Sequence, residues 1–383
     1  MASASKTVLF LDHTPFLGGA QLALVELLKK LDRGKIRPFI INSTAARDLG
    51  LTAEYEGYQL PYQLLPWPRL KKISLLSPLY FLRNLKKIIK IIKREKVDLI
   101  FTNTVRAAIF AAAASLLTHR PLIWYQLDYT FPRLLFEILK RVPARIFYVS
   151  RSLAEYYEGH GVEREKVFYL WSNFSEKLAD ISFKTRDDKR RELGIKEDEV
   201  LLGYLGRLVN WKGPQILIAA LKLLRVSGYN NVKALIAGTG KNQRGDNEAE
   251  LKCLVREEDL APAVIFTGWE KDNFRLMRAL DILCLTSLGP EPFSSVVLEA
   301  MMANVSVIAT TTGGTPEINE PEALCLLVKP GRAEDLAEKI KTLINDKSLA
   351  AELKEKARLK VQAYTTAAAA AHWQEIFFTL LKS

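Results

Sequence analysis

The most informative stretch of this chain is Gly289-Pro-Glu-Pro-Phe-Ser-Ser-Val-Val-Leu-Glu-Ala-Met-Met-Ala303, which holds Glu291 and Glu299. An apolar, strand-like run over Asp281–Ser287 precedes it, and a helical pattern begins at Ser294. A loop that leaves a strand and enters a helix presents free backbone N–H groups and the positive end of a helix dipole to an anion. The stretch therefore predicts a phosphate site. The carboxylates of Glu291 and Glu299 on either side of it are suited to bind sugar hydroxyls.

Short β-rich apolar runs alternate with helical patterns along the whole chain, which predicts an α/β fold with parallel sheets built from β-α-β units. The predicted strands of the first half are Thr7–Asp12, Pro38–Asn42, Val97–Asn103, Pro121–Leu127, Ala144–Ser150 and Lys166–Asn173. Those of the second half are Val200–Arg207, Val232–Gly240, Val264–Trp269, Asp281–Ser287, Val305–Thr311 and Ala323–Lys329. A helical pattern over Thr365–Leu381 ends the chain. Because parallel sheets bind ligands at the carboxyl ends of their strands, site residues are expected in the loops that follow strands.

Positive charge is concentrated in the first half of the chain. The net charge is +12 over 383 residues. Residues 1–180 hold 27 Lys and Arg against 16 Asp and Glu, whereas residues 181–383 hold 28 against 27. Such a basic surface favours partners that carry phosphate, namely anionic lipid, nucleic acid or an acidic substrate. Nucleic acid is not predicted as a partner, because the basic half lacks interleaved aromatic residues in any nucleic-acid-binding motif.

The cysteines and the apolar runs indicate the compartment. Cys253, Cys284 and Cys325 occur without a C-x-x-C pattern, which favours a reducing compartment and argues against a disulfide framework or a zinc site. The apolar run Val8–Leu11 is too short for a signal peptide, and Ala107–Leu117 is too short to cross a bilayer. A cytoplasmic protein is therefore predicted, with any membrane contact peripheral at the inner face.

Glycine-rich turns follow the first predicted strand of each half. His13-Thr-Pro-Phe-Leu-Gly-Gly-Ala-Gln21 has two adjacent glycines where a strand turns into a helix, so the backbone there can approach an anion closely. A tight turn for helix packing is the alternative. Gly206-Arg-Leu-Val-Asn-Trp-Lys-Gly213 carries Arg207 and Lys212, whose donor fork and point charge together can neutralise a diphosphate. Ala237-Gly-Thr-Gly240 closes the next strand.

These motifs, in this order, resemble those of a known enzyme family. The spacing from Glu291 to Glu299, followed by Val307-Ile-Ala-Thr-Thr-Thr-Gly-Gly-Thr-Pro-Glu317, is similar to the signature of the retaining GT-B glycosyltransferases of family 4. The resemblance implies two Rossmann-like domains that face a cleft, with a C-terminal helix that crosses back onto the first domain. It assigns residues 1–175 to an acceptor domain, 176–364 to a nucleotide-sugar domain and 365–383 to the crossing helix.

The resemblance also implies roles for individual residues. Arg207 and Lys212 would bind the diphosphate and Glu291 the donor sugar, and these three form the expected catalytic set. Glu299 would bind the ribose hydroxyls. The other donor-binding residues that the resemblance implies are Gly18, Gly19, Gly238, Phe293, Ser294 and Ser295. On the acceptor side it implies Gln21, Asn103 and Asp128.

Two segments depart from the family pattern. Family members often carry a His near the cleft in the first domain, but Ile123-Trp-Tyr-Gln-Leu-Asp128 retains only Trp124 and Asp128 of the corresponding element. Further on, Met302-Ala-Asn-Val-Ser-Val307 replaces Ala-x-Gly-x-Pro-Val, and Asn304 is expected to take the left-handed conformation of the missing Gly. The missing His keeps open a non-catalytic GT-B protein that binds a nucleotide or supports a partner. A sugar-nucleotide epimerase is a further alternative.

The implied substrates are a UDP-, GDP- or ADP-linked sugar and a glycan or lipid-linked acceptor. No cofactor or metal is expected, because the chain has no Asp-x-Asp motif, and Arg207, Lys212 and helix amides can supply positive charge instead. Lys71–Lys96 carries nine basic residues against one acid, interspersed with apolar residues. This segment is predicted to bind anionic membranes as an amphipathic helix. A helix packed on the first sheet, with a solvated basic edge, is the alternative.

Overall fold

The computed structural model describes residues 5–14, 19–47, 50–67, 77–129, 133–158, 167–169, 184–241, 245–270 and 272–382. The chain divides into two compact units. The first consists of Met1–Asn173 and Thr365–Ser383, and the second of Phe174–Tyr364. Of the residues singled out in the sequence, Gly18, Lys71 and Lys72 lie outside the described residues.

The first unit is built on a parallel sheet of seven strands. These are β1 (Lys6–Leu11), β2 (Ile36–Ser43), β3 (Tyr62–Leu65), β4 (Leu99–Thr102), β5 (Leu122–Gln126), β6 (Arg145–Tyr148) and β7 (Val167–Tyr169). Their order across the sheet is β3-β2-β1-β4-β5-β6-β7. This is the doubly wound order, in which the topology reverses beside β1 and opens a crevice at the carboxyl ends of β1 and β4.

Helices cover this sheet because their apolar positions recur with helical spacing. They are α1 (Gly19–Lys30), α2 (Leu51–Gly57), α3 (Ser77–Arg94), α4 (Val105–Thr118), α5 (Arg133–Leu139), α6 (Arg151–Glu158) and, from the end of the chain, α15 (Thr366–Lys382). Trp373 and Phe377 of α15 are buried at 2% and 0% exposure in the same core as Phe10 and Phe101. The C-terminal helix is therefore part of the first unit.

The second unit repeats this order with six parallel strands. They are β8 (Val200–Leu205), β9 (Val232–Ala237), β10 (Val264–Gly268), β11 (Ile282–Leu285), β12 (Ser306–Thr310) and β13 (Leu326–Val328). The order across the sheet is β10-β9-β8-β11-β12-β13. The topology reverses between β8 and β11, so the loops that follow these two strands are neighbours at the carboxyl edge.

The helices of the second unit pack on both faces of its sheet, over two separate apolar cores. They are α7 (Lys184–Glu192), α8 (Pro214–Val226), α9 (Glu248–Glu257), α10 (Asn273–Arg278), α11 (Ser295–Met302), α12 (Thr315–Ile318), α13 (Ala333–Asn345) and α14 (Lys347–Lys360). The α11 helix ends before Asn304, whose φ of 61° is left-handed. The conformation predicted for Asn304 is thus confirmed.

The predicted strands correspond to observed strands, but their ends differ. The run predicted over Val97–Asn103 is a strand only over Leu99–Thr102, and of the run Lys166–Asn173 only Val167–Tyr169 is described. The edge strand Tyr62–Leu65 was not predicted. Its four residues include Gln63 and carry no alternation of polar and apolar side chains, which is the pattern that identifies a half-buried strand.

Candidate functional site

Glu291 lies in the loop between β11 and α11 and is only 4% exposed. Its carboxylate forms an ion pair with the ammonium of Lys212. The same oxygen, Oε1, accepts a hydrogen bond from Ser287 Oγ at 2.5 Å. Both described donors therefore converge on one oxygen of the carboxylate. Among the described residues none donates to Oε2, so this oxygen is available to a ligand.

The loop after β12 fixes the backbone of Glu291 from the other side. The N–H of Gly314 donates to the carbonyl oxygen of Glu291 at 2.8 Å. A Cβ added at Gly313, which has φ +55°, would lie only 2.0 Å from that oxygen. Only glycine allows the two loops to approach so closely. The Gly313-Gly314 pair singled out in the sequence thus holds Glu291 in place.

Lys212 ends a short 3-10 turn over Asn210–Lys212, which follows β8. The carbonyl oxygen of Trp211 accepts backbone N–H groups from Leu288 at 2.8 Å and Gly289 at 3.3 Å. These hydrogen bonds join the loop after β8 to the loop after β11. The structure thereby brings together Lys212 and Glu291, which are 79 residues apart in the sequence.

Arg207 follows β8 on the same loop, and its side chain is exposed. Its guanidinium lies 5.5 Å from the centroid of the Trp211 ring. The Tyr204 hydroxyl donates to the Arg207 carbonyl at 2.7 Å, and burial, together with the charge of Glu291, raises the pKa of Tyr204. No carboxylate in the described part of the chain forms an ion pair with Arg207, so its charge is open to an anion.

The end of β9 also contributes to this edge. The N–H of Gly238 donates to the Gly268 carbonyl at 2.7 Å, and the N–H of Gly206 donates to the Ala237 carbonyl at 3.0 Å. A Cβ at Gly238, which has φ +134°, would lie 1.8 Å from the Gly206 oxygen. The predicted donor residue Gly238 is thus packed against the backbone immediately before Arg207.

The first turn of α11 carries the remaining predicted donor residues. Ser294 is the N-cap residue and is 5% exposed, but its side chain makes no capping hydrogen bond. No described acceptor binds the backbone N–H groups of Ser294 or Ser295. Phe293 instead packs against Tyr364, with 6.0 Å between the ring centroids. The two serine amides can therefore receive an anion, whereas the ring of Phe293 is turned towards Tyr364.

Glu299 lies one turn further along α11 and is half-buried. Burial raises the pKa of its carboxyl group to about 7. Within the described ranges no side chain donates a hydrogen bond to this carboxylate. A ligand whose hydroxyls donate hydrogen bonds to Glu299 would favour its charged carboxylate over the neutral acid.

In the first unit, Asp12 follows β1 and is 1% exposed. It accepts hydrogen bonds from Gln21 Nε2 at 3.1 Å and from the Thr14 N–H at 2.8 Å. Burial raises the pKa of Asp12. Gln21, predicted on the acceptor side, is thus turned inwards to hold Asp12. Gly19, the first residue of α1, is exposed.

Asn103 and His13 lie at the ends of the neighbouring strands β4 and β1. Asn103 is 5% exposed, and no residue in the described part of the chain forms a hydrogen bond with its Oδ1. The His13 N–H donates to Thr104 Oγ1 at 3.4 Å, and burial and the charge of Arg106 lower the pKa of His13 to about 4. A buried amide oxygen without a described partner is uncommon in folded proteins, and a ligand that donates a hydrogen bond at this edge would satisfy it.

Asp128 follows β5, and its carbonyl oxygen accepts hydrogen bonds from Gln126 at 2.9 Å and Tyr157 at 3.0 Å. Tyr125, which occupies the place of the family His, packs against Trp373 of α15 at 5.3 Å. Burial raises the pKa of Tyr125, so its hydroxyl is protonated at neutral pH. The structure thus orders the backbone at Asp128, and the partly buried Tyr125 packs against the core of the first unit.

Sequence reasoning missed Ser287 and Trp211 on the second unit and Asp12 on the first. Ser287 is the last residue of a predicted strand and is 0% exposed, so the sequence indicated only a buried position. Trp211 lies between Arg207 and Lys212 in the sequence. This position between two cationic residues was the signal that could have indicated a role for Trp211 in the site. Within the described ranges, no cluster of three or more His, Cys, Asp or Glu side chains could hold a metal ion.

The α3 helix shows which of its residues face solvent. Its buried residues are Asn84, Leu85, Ile88, Ile91 and Ile92. Its exposed basic residues are Arg83, Lys86, Lys90, Lys93 and Arg94. Three large apolar side chains of the first turns are also exposed, namely Leu79 at 66%, Tyr80 at 39% and Leu82 at 50%. No helix among the described residues is long and apolar enough to span a membrane.

Comparison with known proteins identifies the family. The protein-family model for glycosyl transferases group 1 matches residues 185–360 of the sequence, and the protein-family model for glycosyltransferase family 4 matches residues 17–171. The crystal structure of Anabaena Alr3699/HepE in complex with UDP matches 97% of this chain and 100% of its own, at 25% identity and a TM-score of 0.84. The chain belongs to the GT-B glycosyltransferases of family 4. The predicted fold class is thereby confirmed.

Curated relatives of this family-4 glycosyltransferase share parts of the chain. The capsular polysaccharide biosynthesis glycosyltransferase CapM of Staphylococcus aureus is 26% identical over 309 residues, which are 77% of this chain and 79% of CapM. A D-inositol 3-phosphate glycosyltransferase of Corynebacterium jeikeium is 33% identical over 172 residues, or 44% of this chain. That match spans 41% of the relative. Seven of the curated relatives, this one included, are matched over less than half of their own length.

Proposed function

We propose that this family-4 glycosyltransferase transfers a sugar from a nucleotide-diphosphate sugar to an acceptor hydroxyl, with retention of the anomeric configuration and without a metal ion. The observation that carries the proposal is the ion pair between Lys212 and Glu291, on the same loop as Arg207, whose charge is not paired with any described carboxylate. Cations suited to a diphosphate and a carboxylate suited to a sugar meet there at the ends of parallel strands. Anabaena Alr3699/HepE, a relative by structure, binds UDP and UDP-glucose, which supports a nucleotide-sugar donor.

Each residue would act at a different part of the donor. Arg207, Lys212 and the amides of Ser294 and Ser295 would stabilise the charge that develops on the departing diphosphate. Glu291 would accept a hydrogen bond from the sugar through Oε2, and Glu299 would bind the ribose. The bond from the anomeric carbon to the diphosphate then breaks, while the acceptor oxygen bonds to that carbon from the same face. A phosphate oxygen of the leaving group would take the acceptor proton.

Metal independence is proposed because the protein itself supplies positive charge. A diphosphate carries its charge on several oxygens, and a divalent cation, an Arg fork, a Lys ammonium or helix amides can each offset it. Arg207 and Lys212 lie on one loop, within 5.5 Å and 4.6 Å of the same Trp211 ring centroid. They are therefore available to one diphosphate together.

The experiment is a screen of UDP-, GDP- and ADP-sugars against purified protein, first for a rise in melting temperature and then for slow donor hydrolysis. A ligand that binds only the native state must raise its stability. Transfer products are then sought with glycan and lipid-linked acceptors, with and without EDTA, and their anomeric configuration is read by NMR. Neither binding nor hydrolysis of any donor would refute the proposal, and a strict need for a divalent ion would refute its metal-free part.

A non-catalytic GT-B protein is the second candidate, and the place of Tyr125 favours it. This residue replaces the family His and is packed against Trp373. Donor binding without turnover, across a broad acceptor panel, would support this candidate. An epimerase differs from both, because it would release free nucleotide from the sugar nucleotide without any acceptor.

We also propose that the first unit docks on anionic membranes through α3, and that the protein is cytoplasmic with peripheral contact at the inner face. The exposed Leu79 and Leu82 can enter the headgroup region, while Lys86, Lys90 and Lys93 meet anionic lipid. A lipid-linked acceptor would be presented at such a surface. The main apolar face of α3 is buried in the first unit and does not reach the surface. Membrane contact is therefore proposed only for the first turns of α3 and for its exposed basic side chains.

A further inference from the structure

Trp211 occupies an unusual place among the residues of the candidate donor site. Its ring is 36% exposed, yet two cations lie beside it. The Lys212 ammonium is 4.6 Å from the ring centroid and the Arg207 guanidinium 5.5 Å. Both distances are within the range in which a cation is attracted to the negative face of an aromatic ring. One ring thus contacts the two side chains that the proposed function assigns to the diphosphate.

The backbone of Trp211 cannot move freely. Its carbonyl oxygen accepts the N–H groups of Leu288 and Gly289, and the N–H of the preceding Asn210 donates to the Gly245 carbonyl at 3.0 Å. The ring itself packs on Gly289, where an added Cβ would lie 3.5 Å from Trp211 Cε3. The ring is therefore a fixed surface, whereas long Arg and Lys side chains on their own sample many rotamers.

Two like charges on neighbouring side chains repel each other and would separate in the empty protein. Glu291 offsets only one of them, since its carboxylate is paired with Lys212. Arg207 has no ion pair with any described carboxylate, so the ring is the group that favours its position near Lys212 before a ligand arrives. Preorganised charge contributes more to binding than charge that must first be ordered.

We propose that Trp211 is a positioning residue that holds Arg207 and Lys212 together for the diphosphate of the donor. The inference rests on the proposed function, because it takes these two cations to be the diphosphate ligands. Trp211 does not touch the reacting atoms in this account. Its loss would weaken recognition of the diphosphate through the two cations.

Inorganic pyrophosphate is the probe, and its affinity is measured by calorimetry. Trp211→Leu removes the aromatic face, and we expect pyrophosphate to bind about 5- to 30-fold more weakly, as the loss of two cation–π contacts implies. Trp211→Phe keeps a ring and should remain within about threefold of the wild type. Trp269→Leu is the matched control, since it removes an exposed tryptophan on a loop two strands away from β8 and should leave the affinity unchanged.

A double-mutant cycle separates positioning from simple packing. If the ring acts through the two cations, Trp211→Leu should cost only the part of the affinity that depends on Lys212, about 2- to 5-fold, once Arg207 is Ala, whereas a packing defect would add fully to the loss. Should Trp211→Leu fail to fold by circular dichroism, Trp211→Met keeps a long apolar side chain without a ring and serves in the same cycle.

Three outcomes are distinguishable. Weaker binding that Phe restores and that is coupled to Arg207 supports the inference. Wild-type affinity in Trp211→Leu, or full additivity with Arg207→Ala, overturns the inference but leaves the proposed function intact. If the wild-type protein binds neither pyrophosphate nor any nucleotide sugar, the diphosphate role of both cations fails, and the inference fails with the proposed function.

Discussion

The ammonium of Lys212 donates to the same carboxylate oxygen of Glu291 that accepts the hydroxyl of Ser287. The Glu291 side chain is 5% exposed and the Lys212 side chain 19%, so the two charges form a largely buried pair. A buried charge left without its partner is costly. If Lys212 binds the diphosphate as proposed, binding there would also change the environment of Glu291 and so would couple the leaving group to recognition of the sugar.

Replacing Glu291 by Gln should reduce transfer by at least about 10- to 150-fold. The side chain keeps its shape, but a charged hydrogen bond to the sugar, typically about 1.5–3 kcal/mol, is lost. Steady-state kinetics with the donor found in the screen provides the measurement. Glu355→Gln, on the exposed face of α14, is the control and should retain wild-type activity. Near-normal turnover of Glu291→Gln would exclude Glu291 from the site.

The ion pair gives the same variant a second, independent signature. Glu291→Gln leaves the Lys212 ammonium without its partner and should lower the melting temperature. Lys212→Met in the same chain removes the orphaned charge and should restore much of the lost stability, although not the activity. An additive loss of stability in the double variant would contradict the coupling.

Arg207→Ala should weaken binding of the nucleoside diphosphate and lower the transfer rate by about 10²–10³, because one preorganised donor to developing charge is removed. Added Mg²⁺ should not restore the rate. Arg256→Ala, on the exposed side of α9, is the matched control. A variant as active as the wild type, or one rescued by Mg²⁺, would contradict the role of Arg207.

Much of this site could be predicted because local patterns specify it. Strand ends followed by glycines and charges mark the loops that carry Arg207, Lys212 and Glu291, and the substitution of Asn304 for glycine kept a left-handed turn. Burial and pairing could not be predicted in the same way. The sequence does not reveal that Glu291 is enclosed, because its partners come from loops after three different strands.

The first unit was harder to predict for the same physical reason. Gln21 stands in a motif that suggested an acceptor contact, but its amide is used by the buried Asp12. Tyr125 replaces a polar family residue and packs against α15, which comes from the far end of the chain. The contact between Tyr125 and α15 joins segments far apart in the sequence, so it leaves no periodic signal in either of them.

The raised pKa of Glu299, together with its proposed role at the ribose, predicts that donor binding depends on pH. Burial raises the folded pKa from 4.5 to about 7, so the folded protein binds more protons than the unfolded chain between these values. The stability contributed by neutral Glu299 is therefore present below pH 4.5 and is lost as pH rises to about 7. Donor hydroxyls favour the carboxylate, so affinity should increase from pH 5.5 to pH 8.

Titration calorimetry at several pH values tests this expectation. Glu299→Gln cannot ionise and should bind the donor with a flatter pH dependence, while its thermal stability should no longer fall over the same window. An unchanged pH profile in Glu299→Gln would show that another group governs the dependence.

Trp373→Ala should destabilise the first unit by about 3–5 kcal/mol, because the large side chain is 2% exposed and its loss leaves a cavity. The ring contacts Phe147 at 4.9 Å and Phe101 at 5.1 Å, so α15 should also detach more readily. Urea unfolding followed by circular dichroism provides the measurement. Trp269→Ala, at a 66% exposed position, should change stability by no more than about 0.5 kcal/mol.

Reversing the charge of the α3 lysines should abolish binding to anionic vesicles. The variant changes four lysines of α3 to Glu, namely Lys86, Lys87, Lys90 and Lys93. None of these lysines forms an ion pair with a described residue. Each basic residue near an anionic surface contributes about 1 kcal/mol, so their loss alone should reduce affinity roughly a thousandfold.

The control reverses four lysines of the second unit, Lys339, Lys347, Lys354 and Lys360, and matches the change in net charge. Co-sedimentation with vesicles of anionic and of neutral lipid at low salt gives the answer. Specific loss in the α3 variant alone supports docking through α3. Equal loss in both variants would indicate attraction by net charge only, and no binding by the wild type would show that α3 is simply a packed helix with a solvated basic edge.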